Sequence, residues 1–278
     1  MNRSPVALAR NTTNGCAAMN GVALLTKTND SFGVGKHSCP IMINHNDDGD
    51  KNKVKNPEMA AKIIKQSNIV CFDVDSTVIQ EEGIDELADF CGKGTEVSRV
   101  TKEAMGGSMT FQDALKVRLN IIRPSQSQVA DFKKLRPSKL TKGVKQFIGY
   151  LKAEGKQVFL ISGGFDSLIE PVATELNIPM CNVFANKLCF NENGDYADFD
   201  TTKPTSRSGG KSEAVAIVKR QNDASSIITM IGDGATDLEA VPPADYFIGF
   251  GGNVVRTEVF NRAKYFVTDF DQLWAKDE

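Results

Sequence analysis

The sequence predicts an α/β protein: a doubly wound, mostly parallel sheet with a small helical cap inserted after the first strand. From residue 57 onwards, short apolar runs alternate with amphipathic segments, which is the pattern of parallel strands joined by helices. The alternation is interrupted once, between the strand predicted over residues 69–72 and about residue 135, by a purely helical stretch. We interpret that stretch as the cap.

The individual elements follow from periodicity and from the residues that begin or end helices and strands. Thr110 is a favourable N-cap for one helix, and the polar segment 191–194 is a hairpin turn between two short strands. Helices are predicted over residues 57–66, 84–90, 95–104, 110–122, 143–154, 166–176 and 211–219. Strands are predicted over residues 69–72, 157–161, 182–185, 188–190, 196–199, 227–231, 246–250 and 265–268.

This pattern divides the chain into three parts. Residues 57–80 and 137–278 form the predicted core, and residues 81–136 form the cap. Residues 1–56 are polar and lack sustained periodicity, which predicts a disordered extension. Its first part carries Arg3, Arg10 and Lys27 but no acid before Asp30, a bias that is also found in organellar transit segments. The extension is therefore either a transit segment or a plain disordered tail.

Composition narrows the classes of partner and chemistry. A net charge of −2 and a pI near 5.9 predict no nucleic-acid partner, and no apolar run reaches the roughly 18 residues of a membrane span, so no membrane partner is expected. Six scattered cysteines without a CxxC pair suggest reduced thiols and a cytoplasmic location, with an organelle as the alternative. Only two histidines occur, both before the first strand, so acid–base chemistry is left to carboxylates or lysine. We expect a small, dissolved substrate.

Acidic residues follow two of the predicted strands. Asp73 and Asp75 come directly after the first strand, and positions i and i+2 of a strand share a face. Two acids so close need a cation or a shared proton, although an acidic turn alone would give the same pattern. Asp233 and Asp237 lie in a glycine-flanked segment after another strand and add two more acids. Together these carboxylates predict a site for a hard dication such as Mg²⁺.

Groups that favour an anion occur at two further positions. Ser162, Gly163 and Gly164 follow a predicted strand, and they offer a hydroxyl and accessible backbone amides. Lys211 begins a helix behind a Ser-Gly-Gly segment, where the backbone amides and the helix dipole also attract an anion. A serine–glycine turn and a surface lysine are the ordinary interpretations of each motif by itself. Because ligands bind at the carboxyl ends of the strands in such sheets, the motifs together predict a phosphoryl-transfer site.

Five segments carry a family resemblance: FDVDSTVIQEEGIDELADFCG, AMGGS, LISGGF, PTSRSGGK and IGDGATDLEA, in this order. They resemble the haloacid dehalogenase superfamily of phosphohydrolases over about residues 68–273. The resemblance implies that Asp73 is the nucleophile and a Mg²⁺ ligand, and that Asp75 is the general acid/base and a metal ligand through its backbone carbonyl. Asp233 would be a further metal ligand, supported by Asp237. The residues implied for phosphate binding are Ser162, Gly163, Gly164, Lys211 and Thr236.

Within this superfamily the segments are most similar to eukaryotic enzymes that hydrolyse O-phospho-L-serine to L-serine and phosphate through an aspartyl-phosphate, the last step of L-serine biosynthesis. Arg118 lies on the apolar stripe of its helix, where it would either reach the surface or bind the substrate carboxylate. The resemblance implies that Glu82 faces the substrate ammonium, although its position before a helix also suits the helix dipole. Met105 and Phe111, core residues by default, would help to close the cap over the site.

Two alternatives to this activity stay open from the sequence alone. The chain could hydrolyse another small phosphomonoester, or it could bind a phosphoamino acid without turnover. The intact set of acids argues against binding alone. The sequence also leaves open whether the chain forms a homodimer.

Overall fold

The computed structural model describes residues 53–105, apart from the side chain of Met105, and residues 109–274; residues 1–52, which hold nearly all of the predicted extension, lie outside the described residues. The helices are α1 (Pro57–Gln66), α2 (Gly83–Phe90), α3 (Gly94–Met105), α4 (Phe111–Ile122), α5 (Gln126–Leu135), α6 (Val144–Ala153), α7 (Asp166–Glu175), α8 (Gly210–Gln221), α9 (Ala235–Leu238) and α10 (Thr257–Arg262). The strands are β1 (Ile69–Phe72), β2 (Gln157–Phe165), β3 (Val183–Asn186), β4 (Leu188–Phe190), β5 (Tyr196–Phe199), β6 (Ile228–Gly232), β7 (Tyr246–Phe250) and β8 (Phe266–Val267). None of the described helices is long and apolar enough to cross a membrane.

Six strands form a parallel sheet in the order β3-β2-β1-β6-β7-β8. One half of the sheet is built outward from β1 and the other half outward from β6, so the strand order reverses between these two neighbours. In a doubly wound sheet, such a switch point leaves a crevice at the carboxyl ends of the two strands. Asp73 follows β1 and Asp233 follows β6, so the topology alone brings both acids to this crevice.

Helices cover both faces of the sheet. Val70 and Phe72 of β1 belong to a core cluster with α1, α6 and α7, whereas Ile69 and Cys71 belong to a second cluster with α8 and α10. Successive residues of a strand point to opposite faces, so all four side chains are buried, with 0% exposure. This double burial explains why β1 is a continuous apolar run, and it confirms the predicted fold class.

Helices α2 to α5 are inserted between β1 and β2 and pack around an apolar cluster of their own. Side chains of the antiparallel hairpin β4–β5 complete this cluster. The chain enters and leaves the insertion through two adjacent segments: Ile79 pairs with Leu140, and the Gln80 N–H donates to the Lys139 carbonyl at 3.0 Å. The insertion is therefore joined to the sheet by a narrow, paired connection.

The structure differs from the sequence prediction mainly in short elements. Helices α5, α9 and α10 were not predicted individually; α9 and α10 have 4 and 6 residues, too few to display a helical period. Helix α5 is marked chiefly by a capping box between Ser125 and Gln128, and only Val129 and Phe132 are buried along its length. Strand β2 continues to Phe165 instead of ending at residue 161, because the chain rejoins the sheet after a bulge.

We expect Phe270→Ala to lower the free energy of unfolding by about 3–5 kcal/mol, because it would leave a cavity in the larger core. The Phe270 ring is fully buried and stacks on Phe250 with the ring centroids 4.3 Å apart. Urea unfolding measures the change. Leu135→Ala is the matched control, because the Leu135 side chain is 66% exposed and its removal should change stability by no more than about 0.5 kcal/mol.

Candidate active site

Asp73 is the first residue after β1, and it lies at the switch point. Its N–H donates to the Ile231 carbonyl at 2.9 Å, which extends the β1–β6 pairing by one residue. Its Oδ1 accepts the Val74 N–H at 2.7 Å, and its Oδ2 lies 2.8 Å from Lys211 Nζ. The carboxylate is thus fixed in direction, with one oxygen against a backbone amide and the other against an ammonium.

Asp75 lies two residues further on, and its carboxyl group is held by the cap. Its Oδ1 accepts the N–H of Gly83 at 2.7 Å, at the start of α2, and its Oδ2 accepts a long hydrogen bond of 3.4 Å from the Ser162 hydroxyl. Burial, together with the negative charges of Glu82 and Asp73, raises the pKa of Asp75 to about 7. Around neutral pH this group is therefore suited both to give and to take a proton.

The turn Val74–Val78 that carries Asp75 is held from the loop after β7. Ser76 has a positive φ of 54°, and its carbonyl accepts a hydrogen bond of 3.0 Å from Asn253 Nδ2. The same amide nitrogen lies 2.7 Å from Thr141 Oγ1, on the return segment from the cap. The Thr77 hydroxyl donates to Asp233 Oδ1 at 3.1 Å, which links the turn to the end of β6.

The predicted anion loop lies beside Asp75. The Ser162 hydroxyl oxygen accepts the Gly164 N–H at 2.8 Å, and the ring of Phe111 from the cap lies against Gly163. A Cβ at Gly163 would be 2.9 Å from the Phe111 ring, so a larger residue here would force the ring to shift. Gly163 and Gly164 line the cavity between cap and core, whereas Ser162 is fully buried just behind it.

Lys211 is buried, with 10% of its side chain exposed, so it is not a surface lysine. Its Nζ donates to Asp237 Oδ1 at 2.6 Å and also contacts Asp73. Burial alone would lower the pKa of Lys211, but the attraction of Asp237 and Asp73 outweighs burial and raises it above its usual value. The ammonium is therefore a fixed positive charge beside the nucleophile candidate.

Three buried acids converge at the switch point. Oxygens of Asp73, Asp233 and Asp237 all lie within 4.8 Å of one another. Burial and repulsion from Asp73 raise the pKa of Asp233 to about 6 and the pKa of Asp237 well above its usual value. This excess of negative charge favours a cation, and a set of carboxylate oxygens suits a hard one. The side chain of Asp75 does not belong to this cluster; the family resemblance implies its backbone carbonyl as a ligand.

Arg256, in the loop between β7 and α10, was not identified from the sequence. Its Nε donates to Asp233 Oδ2 at 2.6 Å, and its Nη2 donates to Glu82 Oε1 at 2.7 Å. Glu82 Oε1 also accepts the Ser76 hydroxyl at 2.9 Å. The cap residue Glu82 is thus tied to the core by a guanidinium. Only its position in the sequence could have indicated Arg256, because its loop follows β7, whose carboxyl end lies at the same edge of the sheet as those of β1 and β6.

A cavity of about 590 Å³ between cap and core brings most of the predicted residues together. Its lining includes Asp73, Asp75, Glu82, Phe111, Arg118, Gly163, Gly164, Lys211, Asp233 and Thr236. Asp237 lies behind this wall in the acid cluster, and the side chain of Met105 is outside the described residues. The Arg118 Nε donates to the Ala114 carbonyl at 3.3 Å, and among the described residues its guanidinium has no ion-pair partner. A largely buried cation that forms no ion pair with the described residues therefore lines the cavity, within the electrostatic influence of Asp85, Glu82 and Asp75.

Comparison with known proteins identifies the family of the chain. Residues 68–245 match a family model described as haloacid dehalogenase-like hydrolase. The chain is 71% identical over 219 residues to a phosphoserine phosphatase of Drosophila melanogaster, covering 79% of this chain and 81% of the relative. A phosphoserine phosphatase of Homo sapiens is 53% identical over 212 residues, covering 76% of this chain and 94% of the relative.

Solved structures with the same fold include a phosphoserine phosphohydrolase-like protein from Francisella tularensis, with 31% identity and a TM-score of 0.66 over 74% of this chain and 97% of that chain. A substrate-bound phosphoserine phosphatase complex has 26% identity and a TM-score of 0.63, covering 73% of this chain and 93% of that chain. The family model, the relatives and the fold lead to one assignment. The chain belongs to the haloacid dehalogenase-like hydrolases, and within them to the phosphoserine phosphatase family.

Proposed function

We propose that this chain is a Mg²⁺-dependent phosphatase that hydrolyses O-phospho-L-serine to L-serine and phosphate, the last step of L-serine biosynthesis. The observation that carries the proposal is one cavity in which Asp73 contacts Lys211 and Asp75 lies beside it. Arg118, which forms no ion pair with the described residues, lines the cap side of the same cavity. The high identity to relatives named phosphoserine phosphatase supports the choice of substrate.

The carboxylate pair supports a two-step reaction. In the first step an oxygen of Asp73 attacks phosphorus, the bond from phosphorus to the serine oxygen breaks, and Asp75 gives its proton to that oxygen. In the second step the oxygen of water attacks phosphorus and Asp75 takes a proton from the water. The bond from phosphorus to the Asp73 oxygen breaks, which releases phosphate and restores the Asp73 carboxylate. The hydrogen bond from Gly83 to Asp75 Oδ1 leaves Oδ2 near Ser162 and Gly164, on the side of the cavity.

The proposed phosphate site is made of groups on three elements. The ammonium of Lys211, the Ser162 loop and Thr236 at the start of α9 surround the end of the cavity beside Asp73. Phosphoryl transfer depends mainly on positioning and on neutralising the charge on the transferring oxygens. Lys211 supplies that charge from a buried position, where it is weakly screened.

The acid cluster fits the proposed Mg²⁺ because its donors are hard oxygens that carry more negative charge than Lys211 and Arg256 offset. Asp73, Asp233 and the backbone carbonyl of Asp75 would hold the ion, with Asp237 in support. When bound, the ion supplies positive charge close to the nucleophile. Asp233 would then share its carboxylate between the ion and Arg256.

Arg118 and Glu82 would recognise the amino-acid part of the substrate. The Arg118 guanidinium suits the substrate carboxylate, because a planar fork can make two parallel hydrogen bonds. Glu82 would bind the ammonium, while its Oε1 accepts hydrogen bonds from Arg256 and Ser76. Phe111 and, by resemblance, Met105 would close the cap and exclude water from the transfer step.

We also propose that residues 57–80 and 137–278 act as the core and residues 81–136 as a cap that moves against it. The paired segments around Ile79 and Leu140 would serve as the hinge. The cytoplasm is the proposed location. An organelle is the alternative, because a phosphoserine phosphatase of Arabidopsis thaliana with 48% identity over 206 residues is described as chloroplastic.

Asp73→Asn should reduce phosphate release from phosphoserine by at least roughly a thousandfold, because an amide cannot form the aspartyl-phosphate. Free phosphate is measured with and without Mg²⁺, and a chelator should abolish the wild-type activity reversibly. Asp131→Asn, which removes an exposed acid on α5, is the control and should keep full activity. Release that is independent of Mg²⁺, or full activity in Asp73→Asn, would contradict the mechanism.

Arg118→Ala should raise KM for phosphoserine roughly ten- to a hundredfold, because charge-assisted hydrogen bonds to the substrate carboxylate are lost. An amino-alcohol phosphate ester lacks that carboxylate, so its slower turnover should be nearly unaffected by the substitution. Lys116→Ala removes an exposed cation from the same helix and controls for charge. Equal losses on both esters would rule out this role for Arg118.

Asp75→Asn should change how stability depends on pH. The folded pKa of Asp75 is about 7, well above the value near 4 of an unfolded aspartate, so wild-type stability is lost as pH rises between these values. The asparagine variant cannot ionise, so its free energy of unfolding relative to wild type should increase from pH 4 to pH 7 and then level off. Urea unfolding of metal-free protein tests this, with Asp131→Asn as control. A difference independent of pH would show that Asp75 titrates normally.

A further inference from the structure

Asn186, the last residue of β3, is a polar side chain with 0% exposure that lies outside the cavity lining. Its Nδ2 donates to the Gly163 carbonyl at 2.8 Å, and its Oδ1 accepts the Thr205 hydroxyl at 2.9 Å. Both ends of the amide are therefore used, and they are used on two different segments. One segment is the anion loop of β2, and the other is the turn Pro204–Ser206 that precedes α8.

The contact with Gly163 compensates for a bulge in β2. Ile161 pairs with Phe184, but the next pair is Phe165 with Asn186, so three residues of β2 lie opposite one residue of β3. Bulged residues lose partners in the strand ladder. The Asn186 side chain supplies a hydrogen bond at the point where the ladder is interrupted.

This hydrogen bond also orients the loop. In a trans peptide the carbonyl and the following N–H point in opposite directions. Because Asn186 holds the Gly163 carbonyl, the N–H of Gly164 is directed the other way, towards Ser162 Oγ, which it reaches at 2.8 Å. Asn186 thereby fixes the Ser162 hydroxyl from behind.

The contact with Thr205 fixes the other phosphate-binding segment. Thr205 is 2% exposed, and its turn lies directly against the first residue of α8, Gly210. A Cβ at Gly210 would be 2.0 Å from the Pro204 carbonyl oxygen, so the turn and the start of α8 are in direct backbone contact that leaves no room for a side chain. Lys211 is the next residue, and its position follows from that of the turn.

We propose that Asn186 is a positioning residue that sets the distance between the Ser162 loop and Lys211, and thereby the affinity for the phosphate group. It touches neither substrate nor metal. The inference rests on the proposed phosphate-binding role of Ser162 and Lys211. It accounts for a fully buried amide that bridges two segments 42 residues apart along the chain, from Gly163 to Thr205.

The test uses Asn186→Leu, which keeps the approximate shape of the side chain and removes both hydrogen bonds. The inhibition constant for inorganic phosphate and KM for phosphoserine should both rise about tenfold or more. Inhibition by L-serine should stay unchanged, because its ammonium and carboxylate are proposed to bind Glu82 and Arg118 of the cap. Circular dichroism and thermal melting establish that the variant is folded.

Asn182→Leu is the matched control. Asn182 stands just before β3 and donates from Nδ2 to the Val158 carbonyl of β2 at 3.0 Å, at the end of the strands remote from the site. Its replacement should lower the melting temperature and leave the inhibition constant for phosphate unchanged.

Thr205→Val tests the same bridge if Asn186→Leu does not fold, and it should weaken phosphate inhibition in the same direction. Thr205→Ser keeps the hydroxyl and should restore wild-type inhibition. Folded Asn186→Leu or Thr205→Val protein that binds phosphate like the wild type would overturn the inference, whatever its melting temperature. A wild-type protein that neither releases nor binds phosphate would overturn the proposed function, and this inference with it.

Discussion

The concentration of buried negative charge at the β1–β6 switch point is the constraint on which the site depends. Asp73, Asp233 and Asp237 bring their oxygens within 4.8 Å of one another in a region of low polarity, where like charges repel strongly. Two fixed cations reduce the repulsion between the carboxylates: Lys211 contacts Asp73 and Asp237, and Arg256 contacts Asp233. The start of α8 and the loop after β7 must therefore reach the same point, and the remaining excess of charge is what makes the cluster a candidate metal site.

Close approach of backbone segments is the second requirement, because so many groups share a small volume. Gly232 ends β6 directly under the Asp237 carboxylate, and a Cβ there would be 2.3 Å from it. Gly210 meets the preceding turn equally closely, and Gly163 leaves room for the ring of Phe111. At Gly232 and Gly163 the absence of a side chain leaves space for a charged and an aromatic side chain of another element, and at Gly210 it leaves space for the backbone carbonyl of Pro204. The glycines in the motifs are thus explained by packing around the acids and the cap.

The cap is held over the site by contacts at both ends. Near the paired segments around Ile79 and Leu140, Glu82 is paired with Arg256. At the far side, Gln112 Oε1 accepts hydrogen bonds from the N–H and the hydroxyl of Ser208, at 3.1 and 3.3 Å, in the loop just before Lys211. These contacts are partly exposed and individually weak, so they can be exchanged for contacts with a ligand. A cap held in this way can both exclude water from phosphoryl transfer and open to release the products.

Local sequence patterns were enough to predict the fold class and most of the longer helices and strands. They also indicated the acids, glycines and lysine at the ends of β1, β2 and β6 and at the start of α8. Those signals are local: an apolar run, a helix start or a motif can be recognised within a few neighbouring residues. Only the tertiary structure identified Arg256, whose partners Asp233 and Glu82 are 23 and 174 residues away, and Asn186, whose role depends on a bulge in the neighbouring strand. Neither residue lies in a recognisable local motif. Their contacts depend on the order and register of the strands, and these exist only in the folded sheet.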